Sequence, residues 1–227
     1  MRPHSLADHP LCDAPALATE FPVDRAPAGR RLGVVTSVPR GRALFWQGEH
    51  QGHNIEVLQG VIRAVRLLEN GNRQVLAFFW PGDIVRPSQA SCQHFTAEAV
   101  TPCRVVKYDP AEGVCTLTDP CGAHQVLKEL LSLVVTIGQN NSIGRVASLL
   151  LQIRSHLPSD PRRPNALQLL LPRADMADHI GTSLETVCRA LAEFKARRLI
   201  ELPTRKTIRF LDLKGLSQLA AGCGACD

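Results

Sequence analysis

No stretch of this chain is apolar for long enough to cross a membrane. The longest nearly apolar run, Leu130–Ile137, falls far short of the roughly 20 residues that a spanning helix needs. The opening residues, MRPHSLADHPLCDAPALATEF, contain no apolar h-region, so a secretory signal is not expected and a cytoplasmic location is. Signatures of common catalytic sites are missing as well. There is no G-x-G-x-x-G, no G-x-x-x-x-G-K-[ST] and no H-E-x-x-H, and no nucleophile with its base or paired carboxylates stands out. An enzyme is therefore not expected. Internal repeats are also lacking.

What is present is ordinary globular material. Of 227 residues, 44% are apolar and 21% charged, which excludes wholesale disorder and leaves room for a real core. Eight cysteines without an export signal read as thiols, metal ligands or redox groups before disulfides. The charge is split unevenly. Residues 1–140 carry 13 Lys+Arg against 13 Asp+Glu, whereas residues 141–227 carry 13 against 8, so the whole net charge of +5 lies in the C-terminal part. A neutral half followed by a basic half fits a sensor joined to a nucleic-acid binder, and also a merely solvated basic surface.

Residues 1–30 are rich in Pro, Ala and Asp without sustained period and are expected to form a loosely packed arm. Residues 31–118 have β texture. The apolar runs Ala43–Trp46, Ile55–Leu58, Val61–Leu68, Val75–Trp80, Phe95–Val100 and Val105–Tyr108 are separated by turn signals at Pro39–Gly41, Gly48, Gly60, Asn70-Gly71-Asn72 and Pro81–Asp83. Short strands so spaced predict a sandwich, jelly roll or barrel. Asn70-Gly71 predicts a hairpin through a type I′ turn. Arg63 and Arg66 fall on opposite faces of one strand, which is expected to be partly solvated.

Residues 119–140 change to helical period. Leu127, Leu130, Val134 and Ile137 share one face that Leu131 and Val135 widen. That stripe predicts dimerisation, or burial within the subunit; it spans about two heptads where a coiled coil asks for three or four. Residues 141–227 open with a cap at Asn140–Ser142 and a helix burying Val146, Leu149, Leu150, Ile153 and Leu157. A short strand, Leu167–Leu171, follows. Two closely spaced helices are predicted over Arg173–Ile180 and about Leu184–Arg198, then a β pair, Leu199–Leu202 and Thr207–Leu211, around Arg205-Lys206.

The segment RADMADHIGTSLETVCRAL, Arg173–Leu191, meets the packing demands of a helix-turn-helix. Ala177 is the small residue where the helices cross. Gly181 allows positive φ in the turn, and Val187 is the β-branched residue facing inward. Ser183 is a candidate N-cap, and the Ser183 and Thr186 hydroxyls suit phosphate oxygens. Glu185 and Arg189 form an i,i+4 pair. They are either an intrahelical ion pair or a reading pair, with Arg189 on guanine O6 and N7 and Glu185 accepting from cytosine N4. Arg205 and Lys206 make a basic wing.

ETVCR, its flank LPRADMADHIG, the helix start NSIGRVASLL and the roll segment FWQG…LQGVIRAVRLLENGNRQVLAFFWPGDIV together resemble the CRP/FNR family of bacterial transcription regulators, over about residues 34–214. The resemblance implies an α+β protein with an N-terminal cyclic-nucleotide-binding-type β-roll (a jelly roll), a long dimerisation helix and a C-terminal winged helix-turn-helix. It implies a homodimer acting on double-stranded DNA at palindromic promoter sites, with RNA polymerase as a further partner and activation as the usual outcome. Where the cyclic-AMP receptor type has an arginine before the Glu, this chain has Leu184. Leu184, Glu185 and Arg189 look like the FNR/FixK side, which implies a TTGAT-n4-ATCAA-like palindrome; an apolar Leu184 suits a thymine methyl. Arg173 matches a phosphate-contacting position of the family.

The family's cyclic-nucleotide pocket uses a Gly-Glu turn and an Arg-Ser pair. Here Gly82-Asp83 begins the turn, but Gln93-His94 stand where Arg-Ser would be, without the cation that holds a cyclic phosphate. Cyclic nucleotide is not expected. The FNR type holds a [4Fe–4S] cluster on three N-terminal cysteines and one in the roll. Cys103 matches the roll cysteine, but Cys12 stands alone in the arm. Cys223 and Cys226 form a C-x-x-C, a weak metal or redox signal. No cofactor is the favoured expectation, with an unconventional iron–sulfur or thiol sensor as the alternative. Cys188, beside Arg189 where the family commonly has Ser, is either a silent replacement or a redox brake. A roll that binds a ligand without DNA activity is the reading from another class.

Overall fold

The structure, a computed structural model, describes residues 33–50, 53–85, 92–108, 133–134, 136–138, 141–156, 165–204 and 206–221. The N-terminal part is a roll of two four-stranded antiparallel sheets. Its strands are β1 (Val34–Val38), β2 (Ala43–Phe45), β3 (Asn54–Gln59), β4 (Ile62–Leu67), β5 (Arg73–Phe79), β6 (Ile84–Val85), β7 (Thr96–Ala99) and β8 (Cys103–Tyr108). One sheet runs β1-β8-β3-β6 and the other β2-β7-β4-β5. Their facing sides bury Val38, Phe45, Ile55, Val57, Ile62, Val85, Ala97, Ala99, Cys103 and Val105. These residues alternate along their strands, as a half-buried sheet requires.

The hairpin predicted at Asn70-Gly71 is present between β4 and β5, but its turn is not the expected type I′. Gly71 has φ +78° and Asn70 is not among the positive-φ residues. The Leu68 amide donates to Asn72 O and the Gly71 amide to Leu68 O, both at 2.9 Å. This is a three-residue loop closed by a left-handed glycine, in which Asn70 instead accepts from the Asn72 amide through Oδ1 at 3.0 Å. Gly60 is held more tightly. Its φ is +90°, and a Cβ there would come within 2.6 Å of both Cys103 Sγ and Pro102 O.

The C-terminal part contains α1 (Ser142–His156), β9 (Ala166–Gln168), α2 (Arg173–Ile180), α3 (Leu184–Ala196), β10 (Ile200–Thr204), β11 (Thr207–Phe210) and α4 (Leu213–Ala220). Asn141 caps α1, its Oδ1 accepting from the Ile143 amide at 2.9 Å. Val146, Leu149, Leu150 and Ile153 of α1 are buried as the period predicts; Leu157 lies outside the described residues. The small sheet runs β10-β11-β9. Helix α4 is absent from the sequence reading. It is started by Asp212, which accepts from the Gly215 amide, and it buries Leu216 and Leu219.

The core of this part continues into the roll through Val61, Trp80 and Val100. The indole of Trp80 stacks on His156 of α1 at 5.4 Å between centroids. The base of the β4–β5 hairpin therefore lies against the helices, while its tip, residues 66–72, is exposed. Arg66 is exposed, but Arg63 is covered, so the expectation of a partly solvated strand holds on one face only.

Positions 133–134 and 136–138 are helical. Val134 is 65% exposed and Ile137 40%. Leu127 and Leu130 lie outside the described residues.

Candidate nucleic-acid interface

Helices α2 and α3 form a compact pair. Met176, Ala177 and Ile180 of α2 meet Val187, Ala190, Leu191 and Phe194 of α3 in one buried cluster. Gly181 ends α2 at φ +65°, ψ +49°, the left-handed conformation that glycine adopts without steric cost. A Cβ at Gly181 would meet no atom within 4 Å. The demand at this turn is thus on the backbone, not on space. From α1, Arg145 Nη1 donates to Ile180 O and Gly181 O, both at 3.4 Å, which ties the turn to the preceding helix.

Ser183 caps α3. Its Oγ accepts from the Thr186 amide at 3.1 Å, and it lies 2.8 Å from Thr186 Oγ1. The buried residues of α3 occupy one side, so Leu184, Glu185 and Arg189 emerge on the other, all exposed. Among the described residues no ion pair joins Glu185 to Arg189. Both are available to an external partner. Arg173, at the start of α2, donates Nη1 to Cys188 Sγ at 3.4 Å. This places the partly buried thiol between α2 and α3, one residue from Arg189. Lys206 is exposed in the β10–β11 turn, where its amide donates to Thr204 Oγ1 at 3.2 Å. Arg205 lies outside the described residues.

In the roll, the Gly82-Asp83 turn is closed on itself. Asp83 Oδ2 accepts from the Trp80 amide at 2.7 Å, and Gly82 N donates to Val57 O at 2.8 Å. Gln93 is buried, and its backbone pairs with Gly48 and Glu49. His94 points to solvent. Cys103 is 3% exposed, and its thiol donates to Thr101 O at 3.1 Å and Val61 O at 3.4 Å. Burial pushes this thiol up, against smaller opposing effects of its hydrogen bonds. The thiol is thus held inside the core by two backbone carbonyls, away from solvent. Cys12, Cys223 and Cys226 lie outside the described residues.

Sequence reasoning missed a set of polar residues behind the reading unit: Arg63, Arg73 and Gln74 of the roll, and Asp175, Asp178 and His179 of α2. Asp175 and His179 are buried. The i,i+3 spacing of Asp175 and Asp178 was a visible signal, but their partners lie more than 100 residues away.

Comparison with known proteins agrees with this architecture. Residues 35–131 match the cyclic nucleotide-binding domain family and residues 144–219 the Crp-like helix-turn-helix domain family. The chain is 31% identical over 205 residues to the nitrogen fixation regulation protein FixK of Rhizobium meliloti, covering 85% of this chain and 89% of that protein. It is 28% identical over 200 residues to the FixK of Azorhizobium caulinodans, covering 83% and 79%. The solved structure of FixK2 from Bradyrhizobium japonicum superposes with a TM-score of 0.73 at 22% identity, covering 86% of this chain and all of that one. Among the described residues no helix is long and apolar enough to cross a membrane.

Proposed function

The chain belongs to the CRP/FNR family of transcription regulators, on its FixK-like side, and from that premise we propose that it binds a TTGAT-n4-ATCAA-like palindrome as a homodimer and activates transcription through RNA polymerase. The observation that carries this reading is the division of α3. Its buried face anchors it to α2, while Leu184, Glu185 and Arg189 are exposed and unpaired with one another. Arg189 takes guanine bidentately, Glu185 accepts from cytosine N4, and Leu184 meets a thymine methyl. Arg173, Ser183, Thr186, Arg205 and Lys206 contact phosphates and fix register. The exposed Val134 and Ile137 support a dimer seam continued by Leu127 and Leu130.

The reading needs neither cyclic nucleotide nor iron–sulfur cluster. Gln93 supplies no cation at the phosphate position, and the Cys103 thiol is committed to backbone carbonyls. A thiol brake is the second reading. The partly buried Cys188 Sγ sits against the Arg173 guanidinium, and an oxidised Cys188 would add bulk beside Arg189.

A gel shift with salt titration tests the proposal against a roll that only binds ligands. Phosphate contacts predict affinity falling steeply and log-linearly with salt. No retardation of the palindromic duplex at low salt would refute DNA binding.

A further inference from the structure

The reading unit is fastened to the roll by a partly buried network of charge centred on Asp175. Arg63 of β4 donates Nη2 to Glu98 Oε1 of β7 at 2.8 Å and Nη1 to Asp175 Oδ2 of α2. Arg73, at the start of β5, donates Nη2 to Asp175 Oδ1 at 2.8 Å and Nε to Asp178 Oδ2 at 2.9 Å. Gln74 Nε2 donates to Asp178 O. His179 Nδ1 lies 3.1 Å from Val75 O, and the His179 ring packs edge-on against Phe78 at 5.1 Å. The Asp175 side chain is only 2% exposed, so its carboxylate, shared by two guanidiniums, is enclosed at the boundary.

These contacts do not serve the helix-turn-helix itself. Alpha-helix α2 packs on α3 through Met176, Ala177 and Ile180, and the charged residues face the other way. Apolar side chains of similar volume could cover the same surface. What they could not supply is direction. Guanidinium–carboxylate pairs constrain approach angle and register, whereas hydrophobic burial does not. The chain itself connects roll and reading unit only through residues 109–141. Val61, Trp80 and Val100 already join the two parts by apolar packing; the network adds directional contacts to that seam, and guanidinium–carboxylate geometry holds a rotation that apolar packing leaves looser. Rotation matters because a dimer reading a palindrome must place its two reading helices about 34–36 Å apart.

We propose that Arg63 and Arg73 are positioning residues for DNA recognition: by holding Asp175 and Asp178 they orient α3 relative to the roll and so determine which half-site spacing the dimer accepts. The inference rests on the palindrome reading above. It assigns spacing selectivity to residues that touch no base.

The test is a double-mutant cycle read by binding to three duplexes: the n4 palindrome, the same half-sites with an n6 spacer, and a single half-site. Arg73→Ala, Asp178→Ala and the double variant are compared with the full-length wild-type protein. Both residues are about one-third exposed, so the variants should fold; Asp178→Asn replaces any that does not. The n4-over-n6 preference is expected to fall about tenfold or more in each single variant. The double variant should fall no further than Arg73→Ala alone, because Asp178→Ala removes a contact that Arg73→Ala already abolishes along with the one to Asp175, and single half-site affinity should stay unchanged. An unchanged spacing preference overturns the proposal, as does an equal loss on all three duplexes or strict additivity in the double variant. A wild-type protein that does not prefer the palindrome over scrambled DNA overturns the palindrome reading instead.

Discussion

Arg189→Ala separates recognition from folding with unusual clarity. Arg189 is exposed on α3 and has no ion-pair partner among the described residues, so its removal strands no buried charge. Its neighbours Val187, Ala190 and Leu191 carry the packing. Folding stability should change by about 0.5 kcal/mol or less, the usual range for such surface sites. Binding should change far more. A bidentate arginine–guanine contact is worth about 1–3 kcal/mol. A dimer makes it twice, so affinity for the palindrome should fall by about 2–6 kcal/mol, or about 30-fold to about 10⁴-fold. Fluorescence anisotropy on the TTGAT-n4-ATCAA duplex measures this loss. A second duplex with the half-site G replaced supplies the decisive comparison, because the variant should no longer distinguish the two. If the variant loses equally on scrambled DNA, or still rejects the altered base, Arg189 is a phosphate contact and the assignment is wrong.

Three further outcomes follow from the same geometry. Diamide or peroxide should weaken DNA binding by wild-type protein and leave Cys188→Ser unaffected; equal sensitivity in both would leave Cys188 a silent replacement. Burial lowers the pKa of both His179 and His156, from 6.5, so the fold prefers neutral rings. Their stabilising contribution is complete above pH about 6.5 and is lost as pH falls through the folded values; urea midpoints should decline over that window less steeply in His179→Gln, and an identical decline would contradict the sign. Gly60→Ala should cost about 2–4 kcal/mol in urea unfolding, from overpacking against Cys103 and Pro102 together with left-handed strain, and a cost under about 0.5 kcal/mol would mean that the strand ends relax freely.

The elements that the sequence made legible were those specified locally. Ala177, Gly181 and Val187 stand at spacings that short-range sterics impose, and helix α2 occupies Arg173–Ile180 as expected. The strand runs from Ala43 to Tyr108 were visible because turn signals bound each short apolar run. Less visible was whatever depends on distant partners. The two-residue β6 exists through pairing with Ile55 and Glu56, not through its own pattern. Asn70-Gly71 announced the hairpin, but its turn type depended on a register that Asn70 alone does not reveal. Helix α4 had a cap in Asp212 and apolar spacing at Leu213, Leu216 and Leu219, and these signals were passed over beside the stronger β pair. Of the Arg63–Asp175 and Arg73–Asp178 contacts only the i,i+3 spacing of the two aspartates was visible locally, since an arginine on a strand reads as solvated until a helix is placed over it.

Sequence-specific binding by a dimer is measured by titrating wild-type protein, at one fixed salt concentration, with the TTGAT-n4-ATCAA duplex and a scrambled duplex, with the mass of the complex determined on the same sample. Two chains per duplex and a preference of about 10³-fold or more are expected. One chain per duplex, or equal affinity for the two sequences, would contradict specific binding by a dimer.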